Sequence, residues 1–281
     1  MSDIASDLGG TIAVGDRTVH RMGYGAMRIT GPGIWQWPKD RDNARAVLRR
    51  AIELGIDFID TADSYGPEVS ESLIGEALSP YPDDLVIATK AGLTRSGPNR
   101  WHPDGRPEHI RAACEGSLTR LKLDALHLYQ LHRPDPKVPL ADSLGTMVEL
   151  QREGKVRLIG LCNVNEKQLA EAQAVTPIVS VQNRYNSADR DSEAVLQRCQ
   201  EQGVAFLPWR PVGGGGDQFG GTVAEVAARH HATQAQIALA WLLAHSSVML
   251  PIPGTESLAH LEENTAAAGI QLTADDLTAL G

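Results

Sequence analysis

The sequence predicts an α/β protein built as a (β/α)8 TIM barrel that is entered through an N-terminal β-hairpin. Three observations carry this expectation. Eight short apolar runs, near 21–25, 56–60, 85–89, 126–131, 156–161, 178–182, 204–208 and 248–252, have the length of buried strands. Helical patterns lie between them, most at a spacing of roughly 30 residues, as a series of strand–helix crossovers requires. Three of the runs also end in ionisable side chains, and strand ends are where a barrel gathers its chemistry.

The elements follow in order. Thr11–Val19 alternates about Gly15-Asp16, a short hairpin signal. Helical patterns span Asn43–Leu54, Val69–Leu78, Pro107–Leu121, Leu140–Arg152, Glu166–Gln173 and Ser192–Glu201. Pro107 suits a first helical turn, Asp191 or Ser192 suits an N-cap, and Gly55 and Gly203 suit the position after a helix. A glycine-rich stretch, Pro211–Gly221, follows the seventh run and leads into helical patterns at Thr222–His230 and Thr233–His245. Thr273-Ala274-Asp275-Asp276-Leu277 has the form of a capped start to a short terminal helix. No linker or low-complexity tract divides the chain, so residues 1–281 read as one barrel domain.

Composition narrows the function. Hydrophobic residues make up 42% and charged residues 22%, as in a soluble chain with a sizeable core. A net charge of −9 argues against a nucleic-acid partner, which needs Lys and Arg to neutralise phosphates. Cys114, Cys162 and Cys199 are odd in number and too widely spaced for a CxxC motif or zinc ribbon, which points to a reducing cytoplasm. No cluster of histidine and carboxylate ligands stands at the strand ends, which argues against a metal-dependent barrel hydrolase. The N-terminus, with Asp3 and Asp7, lacks the order of a signal peptide, and no apolar run reaches membrane-spanning length. No membrane association is expected.

The most informative stretch is Phe58-Ile59-Asp60-Thr61-Ala62-Asp63-Ser64-Tyr65-Gly66, an apolar run that delivers a carboxylate and then a phenol before a glycine turn. Leu85–Lys90 delivers a lysine and Leu126–His132 a histidine, whereas His127 and Tyr129 on the same run read as packing residues. A phenol of ordinary pKa, roughly 10, is a poor acid at neutral pH unless a cation stabilises its phenolate. Lys90 is the candidate cation, and Asp60 the carboxylate that holds it.

At these residues the chain resembles the aldo-keto reductases. The resemblance extends through Gly160-Leu161-Cys162-Asn163-Val164-Asn165, Val181–Asn186, Pro208-Trp209-Arg210-Pro211-Val212-Gly213-Gly214-Gly215, Ile252-Pro253-Gly254-Thr255 and Glu262-Glu263-Asn264. It implies that the hairpin plugs the bottom of the barrel and that a small carbonyl compound is reduced by a nicotinamide nucleotide. Tyr65 would be the general acid, Lys90 would lower its pKa, Asp60 would hold Lys90, and His132 would orient the carbonyl. The cofactor would lie extended across the barrel mouth, in keeping with the missing GxGxxG turn. Cys162, Asn163 and Gln182 would border the carboxamide and Trp209 the ring; Arg210 and Pro211 would also contact the cofactor, and the Gly213–Gly216 amides could approach the pyrophosphate.

At the adenosine end, Gly254 and His260 stand where many members carry a lysine and an arginine, and Glu256 adds a negative charge. Thr255 and Ser257 remain candidates for the 2′-phosphate, and Glu263 and Asn264 for the adenine. The family habit implies NADP(H), with NAD(H) as the alternative. Met27, Trp35, Trp37 and Trp101 suggest an aromatic-friendly substrate pocket, and Arg28, Arg100 and Arg133 are candidates for meeting a polar or anionic group. A different class is a nucleotide-sensing module without turnover, since barrels of this family also serve as auxiliary subunits of potassium channels. The intact Asp–Tyr–Lys–His set favours the enzyme.

Overall fold

The structure is a computed structural model that describes residues 8–213 and 220–281. Asp3, Asp7 and the glycines 214–216 lie outside the described residues.

The strands are β1 (Thr11–Val14), β2 (Arg17–His20), β3 (Tyr24–Gly25), β4 (Phe58–Asp60), β5 (Val86–Ala91), β6 (Leu93–Gly97), β7 (Arg100–Pro103), β8 (Leu126–Leu131), β9 (Val156–Cys162), β10 (Ser180–Arg184) and β11 (Ala205–Trp209). Seven of them form one sheet in the order β3-β4-β5-β8-β9-β10-β11, every neighbouring pair parallel. The eighth run bridges the two edges. On one side Phe206 N donates to Val248 O at 2.8 Å and Leu250 N to Phe206 O at 2.9 Å; on the other, Gly23 N donates to Pro251 O at 2.9 Å and Gly25 N to Pro253 O at 3.2 Å. Pro251 and Pro253 have no N–H, so this segment joins the ladder mainly through its carbonyls. The result is a (β/α)8 barrel.

β1 and β2 pair antiparallel across Gly15-Asp16. Gly15 has φ +63°, and a Cβ there would lie 2.5 Å from Leu158 Cδ2, near the start of β9. His20 Nδ1 pairs with Asp57 at 2.8 Å just ahead of β4, and Arg17 donates to Asp83 O at 3.2 Å ahead of β5. The N-terminal hairpin therefore covers the end of the barrel where the strands begin, leaving the opposite mouth to the site.

The helices are α1 (Arg41–Glu53), α2 (Val69–Leu78), α3 (Pro107–Leu121), α4 (Leu140–Arg152), α5 (Glu166–Gln173), α6 (Glu193–Gln202), α7 (Gly221–Arg229), α8 (Gln234–His245), α9 (Leu258–Ala266) and α10 (Ala274–Leu280). α1 shows why they pack: Ala44, Val47, Leu48 and Ala51 recur on one face and are buried. Each buried Val or Leu of such a stripe contributes roughly 1.5–3 kcal/mol. This helix starts two residues earlier than the pattern predicts, because Asp40 accepts from Asn43 N at 2.8 Å and caps it. Pro107 occupies the first turn of α3, Gly203 caps α6 at φ +66°, and Thr273 forms a capping box with Asp276, each as expected. Ser192 stands at the N-cap of α6, but its hydroxyl accepts from Asn183 Nδ2 at 3.3 Å rather than from the helix. The β6–β7 hairpin was not predicted, because its polar residues carry no apolar alternation. Among the described residues no helix is long and apolar enough to cross a membrane.

Candidate active site

Strand alternation decides what points into the barrel. On β5, Thr89 faces outward and donates to Glu71 of α2 at 2.5 Å, so its neighbour Lys90 faces inward. On β8, Tyr129 faces outward and donates to Ile110 O of α3 at 2.9 Å, so Gln130 faces inward. Tyr129 is a packing residue, as expected, and His127 sits at the other end of the barrel, where it accepts from Ile87 N.

Lys90 is fully buried, and its ammonium has a partner for each of its three N–H groups: Asp60 Oδ2 at 2.7 Å, Thr61 O at 2.7 Å and Tyr65 Oη at 3.3 Å. Asp60 accepts further bonds on Oδ1 from Gln182 Nε2 at 2.7 Å and Gln130 Nε2 at 3.2 Å. Burial works to discharge the lysine, but the charge and hydrogen bond of Asp60 beside it hold it protonated. The fold thus brings Asp60, Tyr65 and Lys90 into one hydrogen-bonded unit.

His132 follows β8 and sits edge-on to Tyr65, with ring centroids 5.7 Å apart. Its Nδ1 lies 3.3 Å from Ser64 Oγ. Burial, then Lys90, Arg133 and Arg95, push its pKa well below the usual histidine range, so the imidazole is neutral. Tyr65 departs from expectation. Lys90 pulls its pKa down, but burial is the larger effect and pushes the phenol up to about 12. The phenol therefore stays protonated at neutral pH, with a cation beside it to receive the phenolate.

Several of the expected cofactor-side residues are held by hydrogen bonds of their own. Gln182, turned into the barrel by β10, donates from Nε2 to Asp60 Oδ1 at 2.7 Å. Cys162 is buried at the end of β9, with Sγ 3.8 Å from Gln130 Oε1. Asn163 holds φ +56° and is pinned at both ends: Nδ2 donates to His132 O at 2.9 Å, and Oδ1 accepts from Trp209 Nε1 at 3.0 Å. That second bond fixes the half-buried Trp209 ring at the mouth. Arg210, at φ +55°, starts a turn closed by Gly213 N onto Arg210 O at 2.9 Å, with Pro211 buried inside it.

At the start of α9, Ser257 Oγ accepts from His260 N at 3.3 Å and Thr255 Oγ1 accepts from Ser257 N at 3.0 Å. Gly254 has a physical reason to be glycine: a Cβ there would lie 2.6 Å from Gly25 O. Glu263 bonds Thr233 Oγ1 of the α8 cap at 2.5 Å, so its carboxylate is turned toward α8, while Asn264 is half-buried on the same helix.

Of the expected pocket residues, Trp101 joins the site directly, with its ring 6.2 Å from Tyr65 and 6.3 Å from His132. Trp35 lies on the loop bridged to Gly66. Met27 is half-buried in the 3-10 turn after β3, and Trp37 lies under the Arg41 guanidinium of α1 at 3.8 Å. The residue that sequence reasoning missed is Arg95, whose Cζ stands 3.6 Å over the Trp101 ring. Nothing in its local pattern sets it apart.

A barrel whose strand ends hold a neutral phenol against a buried, carboxylate-bound ammonium is equipped to hand a proton to an oxygen on a small substrate. The model of the Aldo/keto reductase family matches residues 21–281, and the chain belongs to that family, as an oxidoreductase. It is 49% identical to an uncharacterised oxidoreductase of Schizosaccharomyces pombe over 98% of this chain and 90% of that protein. It is 42% identical to the pyridoxine 4-dehydrogenase of Escherichia coli over 96% of each chain. Among solved structures, an aldo/keto reductase from Klebsiella pneumoniae in complex with NADP and acetate superposes with a TM-score of 0.81 at 28% identity, over 96% of this chain and 93% of that one.

Proposed function

We propose that this chain, as one barrel domain, reduces the carbonyl of a small aldehyde with NADPH and that Tyr65 delivers the proton. The observation that carries the reading is the buried Lys90 ammonium set between Asp60 Oδ2 at 2.7 Å and Tyr65 Oη at 3.3 Å. When bound, the dinucleotide supplies hydride to the carbonyl carbon. Tyr65 Oη gives its proton to the carbonyl oxygen, and the phenolate left behind is held by Lys90. Neutral His132 orients the oxygen, and Lys90 keeps its charge because Asp60 never leaves it.

The residues at the mouth fit a nicotinamide nucleotide. Trp209, clamped by Asn163, offers a fixed aromatic face. The start of α9, with Thr255 and Ser257, offers helix amides and hydroxyls to a phosphate. The NADP complex of the Klebsiella relative supports NADP(H) over NAD(H). The likeness to pyridoxine 4-dehydrogenase supports an aromatic alcohol–aldehyde pair of the pyridoxine–pyridoxal kind as substrate. The three buried free cysteines are compatible with a reducing cytoplasm.

The test is NADPH oxidation with pyridoxal and with 4-nitrobenzaldehyde, wild type against Tyr65→Phe. Loss of the hydroxyl is expected to lower kcat by roughly 10²–10⁴, the usual size of general acid catalysis, while NADPH affinity is retained. Near wild-type turnover by Tyr65→Phe removes Tyr65 from the mechanism.

A further inference from the structure

Arg95 lies on β6, outside every strand of the barrel sheet, yet its guanidinium is the most connected group above the mouth. Its five N–H donors meet five backbone carbonyls: Nε donates to Arg100 O at 3.2 Å, Nη1 to Ile34 O at 2.7 Å and Ser64 O at 2.9 Å, and Nη2 to Gly33 O at 3.0 Å and Gly97 O at 3.3 Å. Those carbonyls belong to three separate segments: the loop after β3, the Tyr65 loop after β4, and the β6–β7 hairpin. The same guanidinium is stacked 3.6 Å over Trp101 and stands 5.6 Å from the Trp35 ring.

The segments it joins are fitted to one another. Asn99 N donates to Gly33 O at 3.0 Å, and Gln36 N donates to Gly66 O. A Cβ on Gly33 would lie 2.7 Å from Pro98 Cβ, so the first loop and the hairpin tip touch without room for a side chain. Trp101 stands at 87° to Tyr65 and 65° to His132, so three steeply inclined rings form a corner directly over the phenol. Trp101 sits half-buried on β7, where its backbone pairs with that of Arg95 across the hairpin and its ring lies under the guanidinium.

We propose that Arg95 is the positioning residue that assembles the substrate wall, holding Trp101 edge-on to Tyr65 and His132 and thereby setting a preference for flat aromatic aldehydes over short aliphatic ones. The inference rests on the carbonyl-reductase reading above and adds the residue that shapes its substrate side. A guanidinium suits the task because its planar fork of five donors satisfies several loop carbonyls at once while its face stacks on an indole. A lysine offers three donors and no flat face.

The experiment compares wild type, Arg95→Met, Arg95→Lys and Trp101→Leu with pyridoxal and with propanal. It measures kcat and KM for each aldehyde, the Kd for NADPH, and hydrogen exchange in residues 31–37 and 99–103. For Arg95→Met the pyridoxal-to-propanal ratio of kcat/KM is expected to fall by roughly 10-fold, mostly through a higher KM for pyridoxal, with NADPH affinity within about 2-fold of wild type. Arg95→Lys should lie between, and Trp101→Leu should lose the same preference. An unchanged ratio in Arg95→Met overturns the proposal. If that variant does not fold, an unchanged ratio in both Arg95→Lys and Trp101→Leu overturns it. Should wild type bind NADPH but reduce neither aldehyde, the carbonyl-reductase reading fails separately. The wall is then judged by exchange alone: faster exchange in both loops of Arg95→Lys supports it, and unchanged exchange overturns it.

Discussion

At Lys90 three N–H groups meet three oxygens in a site closed to solvent, so the side chain does two things at once: it neutralises Asp60 and it waits beside a protonated phenol. Replacing it separates these roles. Lys90→Met leaves Asp60 buried with only the Gln130 and Gln182 amides as partners, a loss of about 3–5 kcal/mol for a broken buried pair. It also removes the cation that most lowers a Tyr65 pKa already at about 12, so turnover is expected to fall as for Tyr65→Phe. The double variant Asp60→Asn/Lys90→Met should recover most of the stability and none of the turnover. Denaturant unfolding alongside NADPH oxidation checks this, and recovery of turnover by the double variant would contradict the role given to Lys90.

At the scale of the element, the start of α9 sets the cofactor question. Gly254 cannot carry a side chain without moving Gly25, so discrimination at this helix falls to Thr255, Ser257, exposed His260 and the helix amides, against the charge of exposed Glu256. Glu256→Arg replaces repulsion by a guanidinium able to pair with a 2′-phosphate. The preference for NADPH over NADH is expected to rise by roughly 5- to 10-fold at low salt and to shrink as ionic strength increases. Fluorescence titration of both variants with both nucleotides measures it. A wild type that favours NADH would refute the NADP(H) reading, and an unchanged preference in the variant would place residue 256 away from the phosphate.

For the whole molecule, burial acts on titratable groups in a consistent way that bounds the pH range of stability. All five tyrosines, Tyr24, Tyr65, Tyr81, Tyr129 and Tyr185, have folded pKa values raised, in each case chiefly by burial. The unfolded chain then loses these protons near pH 10 while the folded one keeps them, so stability falls as pH rises above about 10. His109, His127 and His132 have folded values lowered, again chiefly by burial, His127 to about 4. The unfolded chain binds those protons below about pH 6.5, so stability also falls as pH drops through that point. Asp63, whose pKa is pushed up by burial and by Glu71, has the opposite sign in acid and offsets part of this second limb. Burial also pushes up the thiols of Cys114, Cys162 and Cys199, which the unfolded chain deprotonates from about pH 8.5. Urea unfolding from pH 5 to 11 is therefore expected to give a plateau between about 6.5 and 8.5 and an alkaline limb that steepens above about 10, at about 1.4 kcal/mol per pH unit for each proton. Tyrosinate absorbance that titrates near pH 10 before unfolding would contradict it.

The sequence by itself determined the barrel, its N-terminal hairpin, most helix ends, and the strand-end positions of Asp60, Lys90 and His132. These are legible because strand runs, caps and turns are written in residues within a few positions of one another, and because a barrel carries every strand end to the same mouth. Tertiary structure alone decided the rest. Gln182 reaches Asp60 from 122 positions away, and Arg95 gathers carbonyls as far as 62 positions distant, contacts that exist only once the sheet has closed and the loops have met. The direction of the Tyr65 pKa belongs to the same class: the sequence shows the lysine that lowers it, but burial, which raises it further, is a property of everything packed around the ring. Glycine at 254 is explained in the same way, by a carbonyl at Gly25 that comes near only when the eighth segment closes the barrel between β11 and β3.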